Sequence, residues 1–226
     1  YHNSLCFSLK IYQLKFDFFE KNSKIGEIIK AGEFFKEGEG SRKVSAVCQK
    51  EVTMRLRNIP GAREVIGASE YVIPEESGCA GKWKEIFGND QPIHMEIGTG
   101  KGRFLMELAG LHPEINYVGI EKYSSVLLRA IQKMEEEPLS NVRFIRMEAE
   151  HILRYFEKEE VERIYLNFSD PWPKERHAKR RLVSREFLDR YRILLKKGGD
   201  LEFKTDNRDL FGFGVEQTAV AHWEIT

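Results

Sequence analysis

The sequence predicts an α/β fold with a mostly parallel sheet, because short apolar runs alternate with stretches of helical periodicity from residue 92 onward. Two further observations locate the functional edge of that sheet. A glycine-rich turn follows the first strand of the alternation, and an acidic residue stands at the end of each of the next three strands. Because ligands of open parallel sheets bind at the carboxyl ends of the strands, we expect a small-molecule site there.

The composition limits the possible classes of function. Basic and acidic residues balance at 36 each, so any binding of nucleic acid must come from local patches rather than from a net positive field. The three cysteines, Cys6, Cys48 and Cys79, show neither metal-ligand nor disulfide spacing, and we expect no metal. No apolar run is long enough to span a bilayer. The sequence therefore predicts a cytoplasmic globular protein without a membrane partner, and it leaves monomer and homodimer both open.

The chain changes character near residue 54. Residues 1–53 show no lasting period apart from a possible short helix over 24–36, so we expect an extension that is either not native or poorly ordered. Met54 is then a candidate natural start. Residues 54–226 form the main domain, which begins with a basic lead-in whose one clear element is a helix over 83–87 that stops at Gly88.

The remaining elements of the main domain follow from apolar spacing. Apolar runs predict strands at 93–97, 116–120, 142–147, 163–168 and 201–204. Apolar residues three and four apart predict helices at 103–111, 124–136 and 150–156, and two more after Ser184 and from Asn207. Ser184 suits an N-cap, and Gly198-Gly199 is expected to close the helix that Ser184 begins.

The first strand and its turn contain the pattern Glu96-x-Gly98-x-Gly100-x-Gly102, a spacing that lets the backbone turn sharply beside a ligand. This is not the dinucleotide pattern, because its third glycine would fall at Arg103, and no phosphate-loop Gly-Lys-Ser/Thr follows. A glutamate beside the turn would repel a pyrophosphate. It suits a ligand that has a cationic amino group or a sulfonium.

Carboxylates end the next two strands. Glu121 is placed to accept hydrogen bonds from both hydroxyls of a ribose, and Glu148 can reach an adenine amino group. Each residue alone is equally well explained as an exposed strand-end carboxylate. Together with the glycine turn, however, they favour S-adenosylmethionine as the ligand.

The fourth strand runs into the stretch YLNFSDPWP, which starts at Tyr165 and places Asp170 at the same edge, before a rigid aromatic turn. Trp172 in this turn either stacks on a base or packs within the turn. A run of cations follows, at Lys174, Arg176, Lys179, Arg180 and Arg181. Such a run is typical of a solvated face, but beside a ligand site it predicts a bound polyanion.

These motifs resemble those of the bacterial tRNA (guanine-N(7)-)-methyltransferases over about residues 54–226. The resemblance rests on EIGTGKG from Glu96, GIE ending at Glu121, NFSDPWPKERHAKRR from Asn167 and FKTDN from Phe203. It implies a Rossmann-like class I S-adenosylmethionine-dependent methyltransferase domain. The same resemblance implies that this domain lacks the last two strands of the family, or has only the start of one, and lacks the Thr-x-x-Glu motif found there.

The resemblance also implies roles for individual residues. Asp170 would be catalytic, acting on a guanine in the tRNA variable loop, at position 46. The cofactor would be bound by Glu96, Gly98, Gly100, Gly102, Glu121, Glu148 and Asp170. The tRNA would be bound by Lys174, Arg176, His177, Lys179, Arg180, Arg181 and Asp206.

Guanine N7 already carries a lone pair, so the expected reaction needs alignment with the methyl–sulfonium bond rather than a general base. Asp170 would either stabilise the positive charge that grows on the base or orient its N–H edge. Two alternatives stay open. One is an RNA-binding module of the same fold that lacks turnover because strands are missing. The other is a methyltransferase for amino or carboxyl groups of a small molecule, against which the basic run argues.

Overall fold

The computed structural model describes residues 8–13, 59–75 and 77–226. The chain divides into two units, one of residues 1–15 and 56–226 and the other of residues 16–55, and the described ranges all belong to the first. The predicted helix over 24–36 and the candidate start at Met54 lie outside the described residues.

One sheet organises the described part of the chain. Its strands are β1 (Ser8–Gln13), β2 (Val72–Ile73), β3 (Ile93–Ile97), β4 (Asn116–Glu121), β5 (Val142–Arg146), β6 (Val161–Asn167), β7 (Leu195–Thr205) and β8 (Glu224–Ile225). Their order is β2-β5-β4-β3-β6-β7-β1-β8, and the pairs are parallel. The predicted parallel sheet is therefore confirmed. The chain order reverses between β3 and β6, which is where ligands bind in sheets of this kind.

Helices cover both faces of this sheet. They are α1 (Ala62–Ala68), α2 (Trp83–Phe87), α3 (Arg103–Leu111), α4 (Ser124–Glu136), α5 (Arg185–Leu194) and α6 (Arg208–Val220), with 3-10 helices at Ala149–Arg154 and Glu175–Arg180. Because alternate residues of a strand face opposite sides, Tyr117 and Val118 of β4 belong to two different apolar cores. Side chains of α1, α3 and α4 pack in the core of Tyr117, and those of α2, α5 and α6 in the core of Val118. In the described residues, no helix combines the length and the apolar character that a bilayer crossing requires.

The predicted helix end at Gly198-Gly199 is wrong. Helix α5 already ends at Leu194, and β7 starts at the next residue. The pairing of β6 with β7 shifts register between Val161 and Arg163. A Cβ at Gly199 would lie 2.7 Å from the carbonyl oxygen of Glu162, so the glycine permits a close approach of the two strands at that irregularity.

Strand β1 was not predicted, because residues 8–13 are too few to show a period. It pairs with β7 over six residues, from Ser8 opposite Asp200 to Gln13 opposite Thr205. Part of the segment predicted as an extension therefore joins the sheet of the main domain.

Candidate active site

A cavity of about 660 Å³ opens at the carboxyl ends of β3 to β6. Its wall includes Gly98 after β3, Glu121 at the end of β4, Glu148 after β5 and Asp170 after β6. The volume is within the range of small-molecule sites. The structure thus brings together in one cavity the four strand-end positions that the sequence analysis singled out.

The glycine turn has two separate functions. Gly98 has φ +80° and lines the cavity, and a Cβ at this position would meet no atom within 4 Å, so its open side is available to a ligand. The amides of Gly98 and Thr99 both donate to the carbonyl oxygen of Ile120, which ties the turn to β4. Gly102 is buried instead, where a Cβ would lie 3.0 Å from the Cβ of Ala130. Gly102 therefore allows the start of α3 to pack closely against α4, and it is not among the residues that line the cavity.

Glu96 is 3% exposed and stands apart from the cavity wall. Its Oε2 accepts a hydrogen bond from the Thr99 hydroxyl at 2.7 Å, and its Oε1 accepts one from the Asn167 side-chain amide at 2.9 Å. Burial raises the pKa of Glu96 to about 7. Glu96 consequently connects the glycine turn to the end of β6.

Glu121 is held in one orientation at the cavity wall. Its Oε2 accepts from the backbone amide of Gly100 at 3.1 Å, and its Oε1 accepts from that of Tyr123 at 2.9 Å. Each carboxylate oxygen keeps a further lone pair for a ligand hydroxyl. Glu148 is exposed directly before the 3-10 helix at Ala149–Arg154, and Glu150 adds a second carboxylate beside it in the wall.

The turn that contains Asp170 is strained. Phe168 has φ +51° and Trp172 has φ +43°, values that side chains of this size rarely adopt. Such strain is found where a fold holds a functional group in a fixed place. Asp170 is exposed between these two residues, and Phe168 is 55% exposed at the cavity wall.

Trp172 forms part of the cavity wall and is flanked by two cations. The guanidinium of Arg180 lies 5.0 Å from the ring centroid, and Lys122 Nζ lies 5.3 Å from it. The His177 ring meets the indole edge-on, with centroids 5.6 Å apart. Slight desolvation and the charges of neighbouring arginines lower the pKa of His177. The indole thus stands between the cavity and the cationic segment.

The cationic run divides into an exposed part and a buried residue. Lys174, Arg176, Lys179 and Arg180 are exposed, and the 3-10 helix Glu175–Arg180 buries no side chain. Arg181 is only 8% exposed, and its guanidinium donates to backbone carbonyl oxygens of the protein. Its predicted contact with RNA stays a prediction. Asp206 is exposed directly after β7, at the same edge of the sheet.

Several wall residues escaped the sequence analysis. They are Lys122, Tyr123, Glu150, Phe168 and Ser169. Each lies within two residues of a predicted strand-end acid, and this closeness in sequence could have indicated that it lines the cavity. The side-chain oxygens Asn167 Oδ1 and Ser169 Oγ are buried and find no hydrogen-bond partner within the described part of the chain. Buried polar atoms are normally paired, so these two are candidates for contact with a ligand.

Comparison with known proteins identifies relatives of this chain. The family profile described as "Putative methyltransferase" matches residues 90–223. The chain is 59% identical over 172 residues to the tRNA (guanine-N(7)-)-methyltransferase of Lachnoclostridium phytofermentans. The aligned residues cover 76% of this chain and 80% of that protein. It is 52% identical over 163 residues to the protein of the same name from Geobacillus thermodenitrificans, in an alignment that covers 72% of this chain and 76% of that protein. A solved structure named "Structure of an antibiotic related Methyltransferase" is 27% identical and aligns with a TM-score of 0.49, covering 63% of this chain and 72% of that chain.

Proposed function

The chain belongs to the family of tRNA (guanine-N(7)-)-methyltransferases, and on that premise we propose that it transfers the methyl group of S-adenosylmethionine to N7 of a guanine in tRNA. One observation supports this most directly. Glu121, Glu148 and Asp170 line the same cavity as Arg180, which belongs to the exposed cationic segment. A cationic small molecule and a polyanion can therefore meet at this wall.

The residues of the cavity fit the cofactor. S-adenosylmethionine, when bound, supplies an electrophilic methyl group on a positively charged sulfur. The carboxylates around the cavity favour a cation, and the open side of Gly98 leaves room for a ligand beside the backbone. We assign Glu121 to the ribose hydroxyls and Glu148 to the adenine amino group. Glu96 supports the glycine turn through its hydrogen bonds with Thr99 and Asn167.

We assign Asp170 to the guanine. N7 needs no general base, because its lone pair is available without loss of a proton. Methylation leaves the purine with a positive charge, and the ionised carboxylate of Asp170 stabilises that charge as it develops. The strained turn between Phe168 and Trp172 fixes where this carboxylate stands.

The exposed cations bind the RNA. Lys174, Arg176, Lys179 and Arg180 contact phosphates, with a salt-dependent contribution to affinity, and Asp206 and His177 contribute polar contacts. The target base leaves its stacked position to reach the cavity. A protein that modifies tRNA works where tRNA is found, so we also propose a cytoplasmic location.

Incubation with methyl-labelled S-adenosylmethionine and bulk tRNA tests the proposal. After digestion of the tRNA to nucleosides, we expect the label in 7-methylguanosine. Label in another nucleoside would contradict the assigned position. Tight tRNA binding without label in the RNA would instead support the RNA-binding module without turnover.

A further inference from the structure

Arg181 lies at the junction of four parts of the fold. Its Nε donates to the carbonyl oxygen of Pro171 at 3.2 Å, and its Nη2 donates to that of Trp172 at 3.2 Å. The guanidinium lies 4.3 Å from the ring centroid of Phe213 in α6. Its own backbone joins the end of the 3-10 helix Glu175–Arg180 to the start of α5, through hydrogen bonds with Ala178 and Ser184.

The turn that Arg181 contacts has little other support. Pro171 and Pro173 have no backbone N–H to donate. Within the described chain, residues 169–173 make no backbone-to-backbone hydrogen bond. Just before this turn, the backbone amide of Phe168 donates to the carbonyl oxygen of Lys204. The same turn contains Trp172 with φ +43°. A backbone in this conformation persists only where its surroundings hold it.

We propose that Arg181 is a positioning residue for methyl transfer: its buried guanidinium holds the carbonyl oxygens of Pro171 and Trp172 and thereby fixes Asp170 and the indole at the cavity wall. The inference rests on the proposed function for its kinetic consequence only. It separates Arg181 from the exposed cations beside it, because Arg181 is only 8% exposed and its guanidinium donates to carbonyl oxygens of the protein.

The geometry requires arginine rather than any cation. The planar guanidinium donates to two successive carbonyl oxygens while its face lies on Phe213. The ammonium group of lysine has three donors but no planar face, so it cannot lie flat on the Phe213 ring while it donates to both carbonyl oxygens. Glu175 adds little to the arrangement, since its carboxylate is 3.8 Å away on a side chain that is 88% exposed.

The test compares Arg181→Lys with Arg180→Ala. We expect Arg181→Lys to lower the single-turnover rate of methyl transfer, at saturating tRNA and S-adenosylmethionine, by roughly 10- to 100-fold, because small displacements of a catalytic group are costly. The salt dependence of its tRNA binding should equal that of the wild type. Arg180→Ala should instead weaken tRNA binding and flatten that salt dependence.

Arg163→Lys is the matched control for a merely structural arginine. Arg163 is half-buried and donates to Asp200 at 2.6 Å across β6 and β7, and it is not among the residues that line the cavity. Both lysine variants should lower the unfolding temperature. Only Arg181→Lys should lower the rate of methyl transfer.

Fluorine NMR of protein labelled with 5-fluorotryptophan gives a readout that does not need activity. The chain has three tryptophans, and Trp83 and Trp223 are buried, at 2% and 5% exposure. Arg181→Lys should shift or broaden the resonance of Trp172, assigned by Trp172→Phe, and leave the other two in place. If Arg181→Lys does not fold, Phe213→Leu removes only the ring beneath the guanidinium and should produce a smaller change of the same kind.

The outcomes are distinct. Wild-type rate and an unchanged Trp172 resonance in Arg181→Lys would overturn the inference. A loss confined to tRNA affinity, with a flatter salt dependence, would also overturn it and would return Arg181 to the RNA-binding surface. If the wild type itself transfers no methyl group to tRNA, the proposed function fails, while the Trp172 resonance still decides whether Arg181 holds the turn.

Discussion

Glu96 is an unusual residue to find at 3% exposure, because burial disfavours the charged form of a carboxylate. Burial, reinforced by the negative charge of Glu121, raises the pKa of Glu96 to about 7, against the effect of hydrogen bonds from Asn167 and Thr99. Between the ordinary pKa and about 7, the folded protein keeps a proton that the unfolded chain releases. The stability contributed by this group is therefore highest at low pH and is lost as the pH rises through that window.

We expect Glu96→Gln to stabilise the protein at pH 8, since the amide can accept from Asn167 and donate to Thr99 without carrying a charge. Its advantage in unfolding free energy over the wild type should grow by about 3 kcal/mol between pH 4.5 and pH 8. Urea unfolding of both proteins at both pH values measures this difference in unfolding free energy. Glu136→Gln, at an exposed glutamate of α4, is the control. A difference between Glu96→Gln and wild type that does not depend on pH would contradict the assignment.

Asp170→Asn separates the two roles that the sequence left open for this residue. Asparagine keeps the shape and an acceptor oxygen but removes the negative charge. If the charge stabilises the methylated purine, the single-turnover rate should fall by roughly 100-fold while tRNA affinity stays the same. A rate close to that of the wild type would show that Asp170 only orients the base.

The sequence predicted which residues line the cavity where those residues stand at the end of a strand. Glu121, Glu148 and Asp170 all line the cavity because parallel strands end at one edge of a sheet. The neighbours Arg180 and Arg181 look alike in sequence, yet one is exposed and the other buried. Side-chain direction at the end of a 3-10 helix depends on the path of the surrounding loops, which has no period in the sequence.

At the scale of elements, the 3-10 helix Glu175–Arg180 is the one that presents the cations. It was not predicted, because a stretch with one apolar residue and five charged or titratable ones has no apolar face to detect. Its structural consequence is simple. A short helix without a buried face keeps its cations in solvent beside the cavity.

Removing two of these cations should change how tRNA binding responds to salt. Arg176→Ala combined with Arg180→Ala should lower the slope of log affinity against log salt concentration by about 2, one for each phosphate that the protein no longer neutralises. Filter binding over a series of salt concentrations measures the slope. Lys197→Ala removes an exposed cation of β7 outside this helix and should leave the slope unchanged. Equal slopes for all three proteins would exclude the 3-10 helix from the RNA interface.

Long elements with a regular apolar period were predicted well from the sequence, and short or irregular ones less well. Helices α3 and α4 occupy the predicted ranges, because their buried residues recur at helical spacing. The 3-10 helix at Ala149–Arg154 stands where a short helix was expected. Gly198-Gly199 misled the prediction, because glycine ends helices and also permits irregular pairing of strands, and sequence alone does not distinguish the two uses.

At the scale of the described sheet, parallel topology creates the site. The chain order reverses between β3 and β6, and the cavity is built from residues at the carboxyl ends of β3, β4, β5 and β6. The alternation of strands and helices in the sequence predicted a parallel sheet with a ligand site at the carboxyl ends of its strands. The pairing of residues 8–13 with residues 200–205 was not predictable, because it joins distant parts of the chain through a strand of six residues.

Because the cavity joins the ends of four strands, a ligand bound there should stabilise the whole sheet and not one loop. S-adenosylmethionine at 100 times its Kd should raise the unfolding free energy by about 2.7 kcal/mol, measured by urea unfolding at pH 7.5. ATP shares the adenosine but brings negative charge to a cavity lined by Glu121, Glu148 and Asp170, so it should give no stabilisation at the same concentration. Glu121→Ala should abolish most of the effect of S-adenosylmethionine, since it removes the ribose contact that β4 provides. Equal stabilisation by ATP would mean that the carboxylates do not select the charge of the ligand, and the assignment of this cavity to a cationic cofactor would fall.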